Sequence, residues 1–136
     1  MDRHIQNANR HQKQKEASMN EKLSQGLTNL AQTVLKRTVS EEIYAKITPE
    51  HIAKSSDIIL NHLSSLPSGE QIVLIDRFGV ITGKPKTLEA VSEDLGIKRI
   101  YVSQIELNAL MDLRVAALSD LIEIMRDIKN EAVSTE

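Results

Sequence analysis

Cysteine is absent from this chain of 136 residues, so neither a disulfide framework nor a thiolate metal site can be built. Aromatic residues are nearly absent too, with only Tyr44, Phe78 and Tyr101. A core made without them is aliphatic, which suits helix-on-helix packing. Only three prolines and five glycines interrupt a chain rich in Leu, Ala, Lys, Glu and Gln. No apolar run approaches the roughly 20 residues of a membrane span. Met1-Asp2-Arg3-His4 opens a polar start without the hydrophobic core of a signal peptide. No strand-type alternation holds anywhere, and there is no internal repeat. The absences exclude disulfide-stapled secreted folds and membrane-spanning folds, and they are consistent with a reducing cytosol.

The formal net charge is −2, whereas nucleic-acid-binding proteins are usually basic. The distribution matters more than the balance. Residues 1–15 carry Arg3, Arg10, Lys13 and Lys15 against a single acid, Asp2. Residues 1–17 are polar and nearly free of apolar anchors, so they are expected to be a disordered arm. Two uses fit such an arm: a solvated tail, or a basic strap that contacts phosphates.

Residues 18–65 read as an N-terminal helical unit. Leu23, Leu27, Leu30 and Val34 follow spacings of four, three and four, which is one stripe of a helix. Ser18 is the expected cap, with Glu21 in capping-box position. Ser40-Glu41-Glu42 starts a short helix. Thr48-Pro49-Glu50 starts a longer one, with a cap, a proline at the first helical position and an acid in the first turn. Its buried face is expected to use Ile52, Ile59 and Leu63, before Leu66-Pro67-Ser68-Gly69 breaks it.

Residues 66–136 hold the pattern that carries function. Glu70 to Phe78 is a short helix ended by Gly79, and Val80 to Lys86 is a loop. Thr87 caps a helix that ends at Gly96. Lys98 to Leu113 is a second, longer helix, and Val115 to Asn130 continues it without proline or glycine. Leu88, Val91, Leu95, Val102 and Ile105 are expected to form the core between the two helices, with Ala90 small at their crossing. Helix, glycine turn and helix in this order hold the second helix proud of the surface, where its first residues can enter a major groove. The stripe Leu118, Leu121, Ile122, Met125 and Ile128 is either core or, with the Leu23–Val34 stripe, a homodimer face.

Other signals are set aside. Gly79-Val80-Ile81-Thr82-Gly83-Lys84 is one residue short of a phosphate-binding loop, and Pro85 stands where a magnesium-binding hydroxyl belongs. His51 and His62 share a helix face but lie roughly 16 Å apart by helical rise, too far to share a metal. All four histidines are read as surface residues. No carboxylate pair or triad spacing appears, so no enzyme and no cofactor are expected.

One family likeness joins these blocks. Leu63-Ser64-Ser65-Leu66-Pro67 with Glu70, Val73 and Leu74, then Arg77-Phe78-Gly79, Thr87-Leu88-Glu89-Ala90-Val91, Gln104-Ile105-Glu106, Ala109-Leu110 and Leu113-Arg114 follow in order at family spacing. Residues 63–114 thereby resemble region 4 of bacterial RNA polymerase sigma factors. The resemblance implies an all-α fold with a helix-turn-helix and an extended C-terminal helix. It also implies a cytoplasmic, bacterial or phage-encoded transcriptional regulator, with DNA and RNA polymerase, or another transcription protein, as partners. Arg99 and Gln104 stand at DNA-contacting positions of the family. Lys98, Tyr101, Ser103 and Asn108 complete the expected DNA face, and Lys84 and Lys86 flank it.

The chain departs from the family pattern at several points. Ile100 and Tyr101 replace glutamate and arginine. Ser103 replaces a further arginine, and Asn108, Met111 and Asp112 stand at later basic positions. From Lys84 to Arg114 the basic residues number five and the acidic residues five, so the segment is neutral. Neutralised phosphates set non-specific affinity, so this domain alone is expected to hold DNA weakly. Ile100 and Tyr101 meet either thymine methyl groups or a protein partner. The second reading is a sigma-like adaptor or decoy that docks on polymerase or a regulator without reading DNA. A third is a structural oligomer that reuses the helix pair for assembly. With neither the length nor the aromatics of a promoter-melting region, the chain is not expected to act as a complete sigma factor.

Overall fold

The computed structural model describes residues 25–134, with side chains as far as Glu131. The arm residues Arg3, Arg10, Lys13 and Lys15, the Ser18 cap with Glu21, and Leu23 lie outside the described residues. Helix α1 covers 25–38 of them. It is followed by α2 (Glu41–Tyr44), α3 (Pro49–Leu63), α4 (Ser68–Phe78), α5 (Leu88–Leu95) and α6 (Arg99–Ser134). No strand occurs among the described residues. The fold is all-α, as the sequence implies.

The predicted starts and stops are met by specific atoms. Ser40 Oγ accepts from the Ile43 amide at 3.3 Å and caps α2. Thr48 Oγ1 accepts from the His51 amide at 3.2 Å and caps α3, with Pro49 in the first turn. Gly79 ends α4 and Gly96 ends α5, both in the left-handed region, at φ 64° and 67°. Nothing interrupts α6. It runs for 36 residues, about 54 Å by helical rise, and forms the spine of the molecule.

One large aliphatic cluster lies along that spine. Leu27, Leu30, Val34 and Leu35 of α1 meet Ile59 and Leu63 of α3, Leu74 of α4, and Leu113, Leu121 and Ile128 of α6. Of the two stripes considered as a homodimer face, Leu27, Leu30 and Val34 on one and Leu121 and Ile128 on the other therefore share one core within the chain. The α6 stripe is also rotated from the expected one. Leu113, Ala117, Leu121, Ile124 and Ile128 are buried, whereas Leu118 is 37% exposed and points outward. Spacings of four, four, three and four define the inward face, and Leu118 lies one residue past it. On the other side, α1 comes so close to the turn after α4 that a Cβ on Gly26 would sit 2.4 Å from Gly79 O and Val80 Cα.

His51 corrects the reading of the histidines as surface residues: it is 2% exposed. Its Nδ1 accepts from the Thr48 amide at 3.0 Å, taking the glutamate position of a capping box. That leaves Nε2 to carry the proton, and it lies 3.1 Å from Glu131 Oε2 near the far end of α6. His62, half-buried one helix length away, lies 2.8 Å from Asp120 Oδ2. The two histidines fasten α3 along the second half of α6.

Glu70 marks the α4–α6 seam. Its Oε2 is buried with no hydrogen-bond partner among the described residues. Burial first, then the hydrogen bond and charge of Asp112, push its carboxyl above the ordinary value. A raised acid holds its proton more tightly folded than unfolded. Its contribution is therefore present below the unfolded value and lost as pH rises through the folded one. Glu70→Gln keeps the shape without the charge, so it is expected to raise the melting temperature at about pH 8 and leave it nearly unchanged at about pH 4. Thermal melts at both values check this, and a variant less stable at the higher pH would contradict it.

Candidate functional site

Thr87 Oγ1 accepts from the Ala90 amide at 3.1 Å and starts α5. Gly96 then reverses the chain. Its amide donates to Ser92 O at 2.9 Å, the Ile97 amide donates to the same oxygen at 3.3 Å, and Ser92 Oγ donates back to Ile97 O. Lys98 O accepts from the Val102 amide at 3.2 Å, so α6 begins directly after the turn. A second small core holds the pair together: Val73, Val91 and Val102 are buried. Leu88, Leu95, Ile97 and Ile105 pack around them only partly buried. Of the five residues expected between these helices, Val91 and Val102 are its centre. Leu88, Leu95 and Ile105 form its edge, and Val73 of α4 is an unforeseen third member.

The loop before α5 is tied down by charge. Arg77 of α4 donates through Nη1 to Lys86 O, and its Nε lies 3.3 Å from Glu106 Oε1 of α6. Lys86 Nζ lies 2.9 Å from Asp76 Oδ1 and 2.6 Å from Asp94 Oδ2. These hydrogen bonds, that of Asp94 first, push the ammonium up to about 12. The Lys86 hydrogen bond in turn holds the Asp94 carboxyl below its ordinary value. Lys86 is therefore a surface strut between α4 and α5, its charge matched by Asp76 and Asp94. Lys84, on the outside of the same loop, is exposed.

The other predicted contact residues stand together at the start of α6. Lys98, Arg99, Ile100, Tyr101, Ser103, Gln104 and Asn108 are all exposed. Arg99 Nη1 reaches to 3.4 Å from Glu89 Oε1 on α5, a surface pair open to water that salt screens. Ile100 and Gln104 lie on one line of the helix, with Tyr101 and Asn108 on one flank and Ser103 on the other. The side chains offer donors and acceptors at Gln104, Asn108 and Ser103, charge at Lys98 and Arg99, and apolar surface at Ile100 and Tyr101. Sequence reasoning missed the continuation of this line. Leu107, Met111, Val115 and Leu118 are exposed beyond it. Their spacings of four, four and three from Leu107 were a readable signal. The stronger inward periodicity of the same helix obscured it.

Comparison with known proteins bears on this region. Residues 62–115 match the family model "Sigma-70, region 4". Over 55 residues the chain is 38% identical to the RNA polymerase sigma-K factor of Bacillus subtilis (strain 168), covering 40% of this chain and 19% of that protein. It is 40% identical over 55 residues to the RNA polymerase sigma-28 factor of Bacillus thuringiensis subsp. kurstaki, covering 40% of this chain and 23% of that protein. The chain thus spans about a fifth of the length of the curated relatives it matches. No solved structure matches it. The matched segment runs from the end of α3, through α4 and α5, to the middle of α6, and it is similar to sigma region 4.

Proposed function

We propose that this chain is a transcriptional regulator that binds DNA through the α5–α6 helix-turn-helix and acts with RNA polymerase in the cytoplasm of a bacterial or phage-infected cell. One observation carries the reading. In the segment that matches sigma region 4, Arg99 and Gln104, which the resemblance puts at DNA-contacting positions, are both exposed in the first turns of the helix that leaves the turn. Lys98 and Lys84 add phosphate contacts, and Arg3, Arg10, Lys13 and Lys15 supply charge from the N-terminal arm.

A gel-shift series with duplexes selected by the full chain from a random-sequence pool tests it. Arg99→Ala is expected to weaken specific binding by about 1–3 kcal/mol, roughly 5- to 150-fold, if it holds a base bidentately. Removal of residues 1–17 is expected to weaken binding to all duplexes alike and to flatten the salt dependence. Selection that enriches no sequence would defeat the reading.

The exposed pair Ile100 and Tyr101, 62% and 53% accessible, favours a second reading: a protein-docking adaptor. An aromatic beside an aliphatic side chain is a typical anchor of a protein interface. In that case Tyr101→Ala abolishes capture of RNA polymerase from nuclease-treated lysate, while Arg99→Ala leaves it intact.

A further inference from the structure

Five apolar side chains of α6 stand outside the core on one line. Ile100, Leu107, Met111, Val115 and Leu118 are 62%, 47%, 55%, 73% and 37% exposed. Spacings of seven, four, four and three keep them on one side of a straight helix, opposite the side that buries Val102, Leu113 and Ala117. The line is about 27 Å long by helical rise. It amounts to roughly 500 Å² of apolar surface, a patch of the size that marks an interaction site on a monomer. Gln104 is the polar residue within it, and exposed Arg114 borders it beside Leu107 and Leu118.

We propose that a second copy of this chain covers this face, the two α6 helices pairing antiparallel about a two-fold axis at Met111. The area supports this occupant. Two such lines bury on the order of 1,000 Å² from their apolar side chains alone, the threshold of a specific interface, and the rim adds more. The register supports it as well. An axis at Met111 sets Leu107 against Val115 of the second copy and Ile100 against Ile122, while Leu118 meets the aliphatic stem of Gln104, so three apolar pairs, counting Met111 with itself, form the seam. The rim brings no close like charges together on the line. Arg114 stands at one edge, and its counterpart in the second copy lies about 9 Å away along the axis by helical rise.

The pairing has a functional consequence, which rests on the DNA reading proposed above. Gln104 and Ile100 are covered by the second copy, so self-association and entry of α6 into a groove exclude each other. The dimer is then a silent store of the regulator, and DNA and the second copy compete for one face.

Sedimentation equilibrium of the full chain without DNA, across the micromolar range, tests the pairing. The natural sequence is expected to dimerise. Met111→Asp and Val115→Asp are each expected to weaken pairing by more than about 100-fold, since a symmetric dimer would bury two carboxylates at the seam. Both sites are exposed in the single chain, so circular dichroism should stay helical. A second readout uses the absence of cysteine. Met111→Cys is expected to form an interchain disulfide on mild oxidation, while Ile72→Cys, exposed on α4, is not. A natural sequence that stays monomeric would overturn the proposal and leave the face to DNA or another protein. So would a Met111→Asp variant that pairs like the natural sequence, or equal cross-linking at Ile72→Cys. The measurement contains no DNA, so its failure would leave the gel-shift result to stand by itself.

Discussion

Leu113→Ala is expected to lower the free energy of unfolding by about 2–5 kcal/mol, the range for removing a buried leucine from a core that cannot collapse around the gap. Leu113 is fully buried and sits at the middle of α6, where α1, α3 and α4 contribute to one cluster. Neighbouring elements approach from several sides, so closing the cavity for one of them opens it for another. Marginal stability makes such a loss a large share of the total. The same substitution at Leu107, six residues earlier and 47% exposed, is expected to cost well under 1 kcal/mol. Urea unfolding of both variants checks the contrast, and equal midpoints would show that α6 does not face the core as described. A loss at Leu95→Ala smaller than at Leu113→Ala is expected for the same reason, since Leu95 is only partly buried.

Gly79→Ala is expected to cost about 2–4 kcal/mol, combining a left-handed conformation with overpacking. At φ 64° any Cβ is strained, and here it would also lie 2.3 Å from the Lys84 carbonyl carbon. That neighbour is backbone, held by the bonds that close the loop: Gly83 N to Gly79 O at 2.8 Å and Lys86 N to Arg77 O at 3.0 Å. It cannot swing aside as a side chain would. Gly96 provides the comparison. It has nearly the same φ, 67°, but nothing lies within 4 Å of a Cβ there. Gly96→Ala is therefore expected to cost only the conformational part, about 1–2 kcal/mol, and Gly96→Asn less. If Gly79→Ala is no worse than Gly96→Ala in the same melts, the loop does not press on the end of α4. Because Arg77 and Lys86 fasten that loop to α5 and α6, the Gly79 variant is also expected to loosen the helix-turn-helix and speed amide exchange in α5.

Much of this was legible in the sequence because it depends on local chemistry. Ser40, Thr48 and Thr87 cap helices because a short hydroxyl side chain can satisfy an amide three residues on, and that spacing is visible in one dimension. Gly79 and Gly96 stop helices because only glycine enters the left-handed region without penalty. The blocks from Leu63 to Arg114 specified the helix-turn-helix, and the matched segment agrees with them. The exposure of Lys98, Arg99, Ile100, Tyr101, Ser103, Gln104 and Asn108 at the start of α6 followed from the same order of helix, turn and helix.

The rest depended on which faces meet, and periodicity leaves that open. A 36-residue helix with apolar residues on more than one side does not announce which side is core. The packing of α1, α3 and α4 decided it, burying Leu113, Ala117 and Leu121 and leaving Met111, Val115 and Leu118 in water. Histidine and lysine are polar in any one-dimensional reading. His51 caps α3 through its neighbour Thr48, but its burial and its ion-pair partner, Glu131, are set by α6 from far along the chain. Lys86, expected at the flank of the DNA face, pairs instead with Asp76 and Asp94, which converge on it from two helices. Local hydrogen-bonding geometry, set by neighbours within four residues, was determined by the sequence itself. The allegiance of each charge and each apolar stripe was decided only when distant segments closed around one another, because desolvation and ion pairing act through space and not along the chain.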